Sequence, residues 1–451
     1  MSDQNGVQAN TKRRSSRPAN KKNENQVSAL QRPSNDDERA WKAYWRAQGQ
    51  HWRLEPEIDA ERQKYLNERR HKVFSAGERS YPFIDVSLSR ADIEWLLATH
   101  GNGRGPVDST DPGQSMRTGL DLYGADLREV DLRGLPLAHS FLSKAHLEGA
   151  KLYNAHLENT DFNEAHLERA SLDNAYLERA SLCRAHLEEA RLNSARLGGA
   201  VLLEAHLEGA VLHGVHLEGA KLMNAHLEGA YLNQSFLDVE TDLTNINLFN
   251  QEMGGAILAD VHWGNVDLTV VDNWSTLSML GDERLARREV NNGTPQSKTM
   301  VIGFYNRAAR AYHQLSVVLK NQGLNDEANH FAYRAHLMQR KVYRYQRKYG
   351  RFIGSGCLAL LAGYGYRPWN TFIIYLLMIG LFAAIYHQLG AHLAWNESIV
   401  ISMTAFHGRG FFPDQFKPGD PQAFWAAIEA FAGLLVEATF IATLTRRLLG
   451  G

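Results

Sequence analysis

Five histidines, His146, His166, His186, His206 and His226, recur every twenty residues, and each is followed two positions on by a glutamate, Glu148, Glu168, Glu188, Glu208 or Glu228. Imidazole changes charge near neutral pH, so such a series could sense protons or dock a partner. It could equally stand as a solvated ladder whose rings accept carboxylate hydrogen bonds. The series contains no cysteine and shows no open three-ligand geometry, so no metal is expected. A second set lies near the C-terminus, where Glu429, Gly433 and Glu437 are four apart and therefore share one helical face. A carboxylate in the middle of an apolar helix costs about 2.5 kcal/mol or more unless it faces water or a partner. Upstream, "SMTAFHGRGFFP" begins helix-like with Ser402 and Thr404 and then turns through Phe406, His407, Gly408, Arg409 and Gly410.

The histidines sit in a segment with a period of five. Leu or Phe occupies every fifth position from Leu122 to Leu237, 24 units in all, and after one inserted residue the step resumes at Leu243, Leu248, Met253, Leu258, Trp263 and Leu268. Neither the 3.6-residue period of a helix nor the two-residue period of a strand fits, so each unit must be one bend of a solenoid. Alanine two places before the Leu can fill a narrow interior. Residues 121–268 carry 23 Asp and Glu against 10 Lys and Arg, while the whole chain has a formal charge of -1, so everything outside this segment is net basic. A chain of 451 residues is too long for one ordinary core, and several domains are expected. Cys183 and Cys357 are far apart in unlike segments, which suggests neither a disulfide framework nor a thiolate metal site and fits a reducing cytoplasm.

The repeat "AHLEG AKLYN AHLEN TDFNE" resembles the pentapeptide-repeat family. The resemblance implies a right-handed quadrilateral β-helix over residues 119–270, with four units per coil. About seven coils at roughly 4.8 Å would make a rod on the order of 35 Å long. Four units per coil would place the five histidines in one column and their glutamates in a second beside it. Histidine stands where the family pattern has Asp or Asn. Pentapeptide rods include acidic DNA mimics that bind DNA gyrase, so the acidic segment allows a gyrase-type partner as an alternative function.

Around the rod, residues 1–35 read as a disordered basic tail whose "KRR" and "KK" could touch nucleic acid or anionic lipid, nucleic acid being the less expected partner. Residues 36–118 read as an N-terminal helical cap, 271–300 as a linker, and 301–350 as a helical hairpin resembling a single tetratricopeptide unit. Arg340, Lys341, Arg344, Arg347, Lys348 and Arg351 form a basic cluster before apolar sequence, placed to meet lipid headgroups or to stand solvated. Residues 351–368 are too short to span and are expected at the interface. Residues 369–395 and 421–451 each hold a run long and apolar enough to cross a bilayer. With no apolar leader at the N-terminus and basic residues flanking both runs on one side, the expectation is a multi-pass protein of the inner (plasma) membrane with both termini cytoplasmic.

Two spans with an apolar stretch between them resemble the two-transmembrane, potassium-channel-like ion channels, over about 80 residues. That resemblance implies a pore helix containing Ser402 and Thr404 within 396–420, followed by a filter loop. Gly408 and Gly410 fall on the two glycines of the potassium filter, whereas Phe406, His407 and Arg409 depart from it. Gly433 falls where relatives bend the inner helix, and Glu429 and Glu437 would face the pore or act as ties to Arg409 or to neighbouring helices. The implied function is a homotetrameric ion-channel subunit regulated by its cytoplasmic rod, with a permeant inorganic ion, the lipid bilayer and an unidentified cytoplasmic protein as partners. The alternative is a membrane-anchored scaffold or DNA-mimic binding protein without conduction. No cofactor is implied. The Gly363 and Gly365 pair lacks a preceding strand, and no Ser-His-Asp or metalloprotease motif occurs, so an enzyme is not expected.

Overall fold

The structure is a computed structural model that describes residues 32–34, 37–71, 81–272, 274, 277, 279–291, 297–366, 368–389, 393–408 and 419–449. The basic tail expected over 1–35 lies outside these residues apart from 32–34. The chain divides into two units, residues 1–57 and 58–451. In the first, Asp37 caps helix α1 (Glu38–Ala47) by accepting from Arg39 N. Trp41 and Trp45 are buried, the Arg53 guanidinium lies 3.5 Å from the Trp45 ring centroid, and Trp45 Nε1 donates to Glu55 O at 2.9 Å.

The second unit begins with α2 (Ala60–Arg70), α3 (Arg90–Ala98) and a single turn α4 (His100–Gly103). Ser89 and Asp92 form a reciprocal capping box that starts α3. Arg90 at its first turn is buried, pairs with Glu94 at 2.7 Å and donates to the carbonyls of Asp131 and Arg133. These bonds seat the cap on the first coils, and Ser87 adds a parallel bridge to Asp126.

From there the backbone winds as a β-helix in which each residue pairs in parallel with the one twenty positions on, as in Asp126↔His146↔His166. Twenty residues are four five-residue sides. Leu147 N donates to His166 O at 2.7 Å, and the Leu and Ala of successive units, Leu147, Ala165, Leu167 and Ala185 among them, are 0 % exposed. The side chain three residues before each Ala is thus always inside, and the His between Ala and Leu always outside. Each corner requires a left-handed residue, with φ 67° at Gly149 and 58° at Arg169. Non-glycine residues cost about 1–2 kcal/mol there, offset by the corner bond Ala150 N to Leu147 O at 2.9 Å and by the ladder on either side.

The register shifts where the sequence shows its insertion: Lys221 pairs with Asp242 and Tyr231 with Ile257. The second shift corrects one unit. Met253, expected at an interior position, is 40 % exposed, because the chain leaves the coil as a hairpin of β1 (Phe249–Asn250) and β2 (Gly254–Gly255) and rejoins it at Leu258. A Cβ on Gly255 would lie 2.5 Å from Met279 O, so the hairpin fits against the chain entering the next helix only without a side chain there.

The segment read as a linker, 271–300, contains helix α5 (Gly281–Asn291). It plugs the end of the rod together with α6 (Lys298–Asn321) and α7 (Asn325–Tyr345). An open β-helix end presents unpaired backbone groups. Here Gln314 Oε1 accepts from Asp260 N at 2.9 Å, and Gln322 accepts from Leu268 N and donates to Val266 O, both at 2.7 Å. Buried Glu283 accepts from Tyr312 Oη at 2.7 Å and faces Arg334 at 3.7 Å, tying α5 to the hairpin. Beyond it lie α8 (Tyr349–Ala362), α9 (Pro368–Leu389), α10 (Trp395–Phe406) and α11 (Pro421–Leu449).

Asp282 in the plug is 2 % exposed; its Oδ2 accepts from Leu258 N at 2.7 Å and its Oδ1 has no partner. Burial pushes its carboxyl up to about 7. A raised carboxyl favours the folded state below the unfolded value and loses that advantage as pH rises towards the folded value. Asp282→Asn, which keeps the accepting oxygen, is therefore expected to stabilise the full chain increasingly between pH 5 and pH 8. Thermal unfolding of the detergent-solubilised variant at both pH values measures this, and a pH-independent difference would contradict it.

Candidate functional site

Helices α9 over Trp369–Leu389 and α11 over Pro421–Thr445 are long and apolar enough to cross a membrane, with mean hydropathies of 1.9 and 1.7. Their outward faces are apolar and exposed, as at Leu377 (66 %), Leu381 (57 %) and Phe431 (66 %). Between them packs α10, only 12 residues long. Its first turn stands level with the end of α9: Trp395 stacks on His387 with centroids 4.3 Å apart, and His387 Nδ1 lies 2.8 Å from Leu393 O. Its last residue, Phe406, is fully buried against Ile379 and Val436, in the middle of α9 and α11.

Three contacts fix that descent. Ser402 Oγ lies 3.0 Å from Ile379 O and 2.5 Å from Glu429 Oε1, while Tyr386 Oη donates to Glu429 Oε2 at 2.6 Å. Glu429 is 0 % exposed, so both its oxygens are held between the three helices. Next, a Cβ on Gly433 would lie 2.0 Å from Phe406 O, so α11 approaches the end of α10 closely there. Finally, His407 Nε2 lies 3.4 Å from Glu437 Oε1, both half-exposed, and Gly408 ends the helix in the left-handed region with φ 64°.

This placement bears on three expectations. Glu429, open to a pore-facing role or to a tie with neighbouring helices, is tied here to Ser402 and Tyr386, which no spacing rule linked to it. Gly433 is a close-packing position within an α11 that runs as one helix from Pro421 to Leu449. Phe406, expected in the filter, closes α10 inside the bundle. Thr404 turns its hydroxyl back on Val400 O at 2.8 Å. Arg409 and Gly410 lie outside the described residues. The basic cluster divides: Arg340 sits 4.8 Å over the Phe352 ring and Lys341 5.0 Å over Tyr305, whereas Arg344, Arg347, Lys348 and Arg351 are exposed.

On the rod, the five histidines form one column. Adjacent rings stack at 5.1, 4.9, 5.0 and 4.9 Å with interplanar angles of 3–7°. Each Nδ1 faces the glutamate two residues on, at 3.3, 3.1, 3.3, 3.3 and 3.6 Å from His146 to His226. The column lines a groove of about 1110 Å³. Four sets of three donors follow one another along it: Glu148, His166 and Glu168; Glu168, His186 and Glu188; Glu188, His206 and Glu208; Glu208, His226 and Glu228. Sequence reasoning did not find these triples, although their signal is present as a glutamate 18 residues before and two after each of His166, His186, His206 and His226.

The family model of pentapeptide repeats matches residues 137–169, 160–199, 190–229 and 200–238. Among solved structures, HetL, a pentapeptide repeat protein involved in heterocyst differentiation regulation from the cyanobacterium Nostoc sp. strain PCC 7120, is 33 % identical; the match covers 34 % of this chain and 69 % of HetL, with a TM-score of 0.19. Rfr23, a pentapeptide repeat protein from the cyanobacterium Cyanothece 51142, is 27 % identical over 32 % of this chain and 86 % of its own, with a TM-score of 0.12. QnrB1, a plasmid-mediated fluoroquinolone resistance protein, is 17 % identical over 38 % of this chain and 85 % of its own, with a TM-score of 0.26. Comparison with curated protein sequences gives no match. With its repeat matched by the family model and a relative one-third identical, the chain belongs to the pentapeptide-repeat family.

The packing at Gly433 is directly testable. Gly433→Ala would drive a methyl into Phe406 O and is expected to destabilise the helical module by roughly 1–3 kcal/mol. Gly380→Ala, at a helical glycine with open space around it, is expected to be neutral or mildly stabilising. Thermal unfolding of both variants in detergent decides the matter, and equal effects would contradict the close approach.

Proposed function

We propose that this pentapeptide-repeat protein is a membrane ion-channel subunit whose cytoplasmic rod regulates the pore. The observation that carries the reading is the position of α10. At about 1.5 Å per residue a 12-residue helix is roughly 18 Å long, against a hydrocarbon core of about 30 Å. With α9 and α11 crossing the bilayer, α10 enters from one face and ends near the middle, at Phe406. A helix C-terminus presents unpaired carbonyls and partial negative charge, and irregular backbone at that depth is tolerated only against protein or a water-filled path. Several such ends around one axis would form a polar route for a cation, and the resemblance to two-transmembrane channels implies four chains.

In this arrangement Glu429, Ser402 and Tyr386 hold the half-helix in place, and His407 with Glu437 stands at its tip. Arg344, Arg347, Lys348 and Arg351 meet lipid headgroups on the cytoplasmic side, with rod and termini on that side of the inner membrane. Regulation has a contiguous route. The rod end is bonded to α6 through Gln314 and Gln322, α7 carries Arg340 onto α8, and Thr371 Oγ1 of α9 donates to Leu361 O of α8 at 2.7 Å. The acidic rod surface supports a compatible second role as a docking site for a cytoplasmic protein.

Full-length protein reconstituted in planar bilayers under opposed KCl and NaCl gradients tests the proposal. Discrete currents with a defined reversal potential are expected. Silence at every potential and pH, with insertion verified by protease protection, would overturn conduction and leave a membrane-anchored scaffold.

A further inference from the structure

The His–Glu column has the geometry of a metal site, and nothing in the channel reading uses it. Each of the four triples offers one imidazole nitrogen and two carboxylate oxygens, all within 4.8 Å of one another. The pair on each rung is separated by 3.1–3.3 Å at His166, His186 and His206. That is long for a charge-assisted hydrogen bond. It is close to the spacing of two neighbouring ligands of a single ion, which at zinc-type bond lengths of about 2.0–2.2 Å and angles from 90° to tetrahedral sit roughly 2.8–3.6 Å apart.

The carboxylates are also short of partners. Oε2 of Glu148, Glu168, Glu188, Glu208 and Glu228 is shut off from solvent and finds no hydrogen-bond partner in another residue, and Glu228 as a residue is only 7 % exposed. Charged side chains flanking the groove do not supply a cation, because Lys144 and Arg184 are engaged with Glu164 and Glu204 at 3.3 and 2.7 Å. Glu158 and Glu178 have the same buried Oε2 on another side of the rod, but Tyr176, not an imidazole, lies between them.

We infer that this face of the rod binds divalent transition-metal ions of the zinc class, each held by one histidine and the glutamates 18 residues before and two after it. Imidazole with carboxylate suits such ions, with water completing the coordination. Neighbouring triples share a glutamate, so rungs about 5 Å apart compete for it. Triples centred on His166 and His206 share none, nor do those on His186 and His226, which sets an expected capacity of two ions per chain. Three histidines provide an internal control: His146, His156 and His216 pair with their own glutamates, yet 18 residues before them stand Arg128, Ala138 and Gly198.

Detergent-solubilised full-length protein, stripped with chelator, is titrated with ZnCl2 against a chromophoric competitor and with Co2+ by visible absorption. Saturable binding of about two ions per chain is expected. It should weaken more than tenfold in the double variant Glu168→Gln, Glu208→Gln, which removes one ligand from all four triples, and in the quadruple variant His166→Asn, His186→Asn, His206→Asn, His226→Asn. The triple variant His146→Asn, His156→Asn, His216→Asn should retain it. Absence of saturable binding, or equal weakening in the control variant, would overturn the site.

Discussion

A five-residue step that closes every twenty residues is the constraint on which the rest depends. Because residue n lies directly beneath n+20 at about 5 Å, any side chain repeated at that interval becomes a column. The inner columns are Leu and Ala and supply the hydrophobic stabilisation, about 1.5–3 kcal/mol for each fully buried Leu. The outer columns are dictated by repetition rather than packing, and this is how stacked imidazoles and their carboxylates arise. Such a coil cannot end by itself, since its last rung exposes an unpaired ladder. The Arg90 cap at one end and the glutamines of α6 at the other answer that requirement.

The same requirement links the rod to the helical module. The glutamines that close the β-helix belong to α6, so the hairpin is part of the rod's terminal cap, and α7 and α8 extend it towards the two apolar helices. In that module polar groups are again the positioning elements. Glu429 is satisfied by two hydroxyls within one chain, and a removed partner there would leave a buried carboxylate unpaired. Gly433 sets how closely α11 can approach, and thereby where α10 ends.

Much of the rod was legible in the sequence because its period is unlike that of helix or strand and persists over 24 units. The coil count of four then places every histidine. Met253 misled because it keeps the five-residue spacing while its unit is extruded as a hairpin, a change visible only in the pairing of Tyr231 with Ile257. The helix in 271–300 was missed because its polar composition resembles a linker; it is held by fully buried Leu280 and Ala286 beside it and within it, and by the bond from Tyr312 to buried Glu283. In the helical module the spacing of Glu429, Gly433 and Glu437 identified unusual residues. It could not say what they touch, because Ser402 and Tyr386 are brought to Glu429 by packing across three helices. The metal-type triples combine residues 18 and 20 apart, an interval that has meaning only after the coil is known.

The central claim is that α10 ends halfway through the bilayer between two spanning helices. Cryo-electron microscopy of the full chain in lipid nanodiscs measures this directly. The account predicts α9 and α11 crossing the disc, Trp395 at one face, and Phe406 near mid-depth beside Gly433, with the ends of several α10 helices converging on a common axis. An α10 lying flat in the headgroup layer, or α9 and α11 resting on the membrane surface, would contradict it.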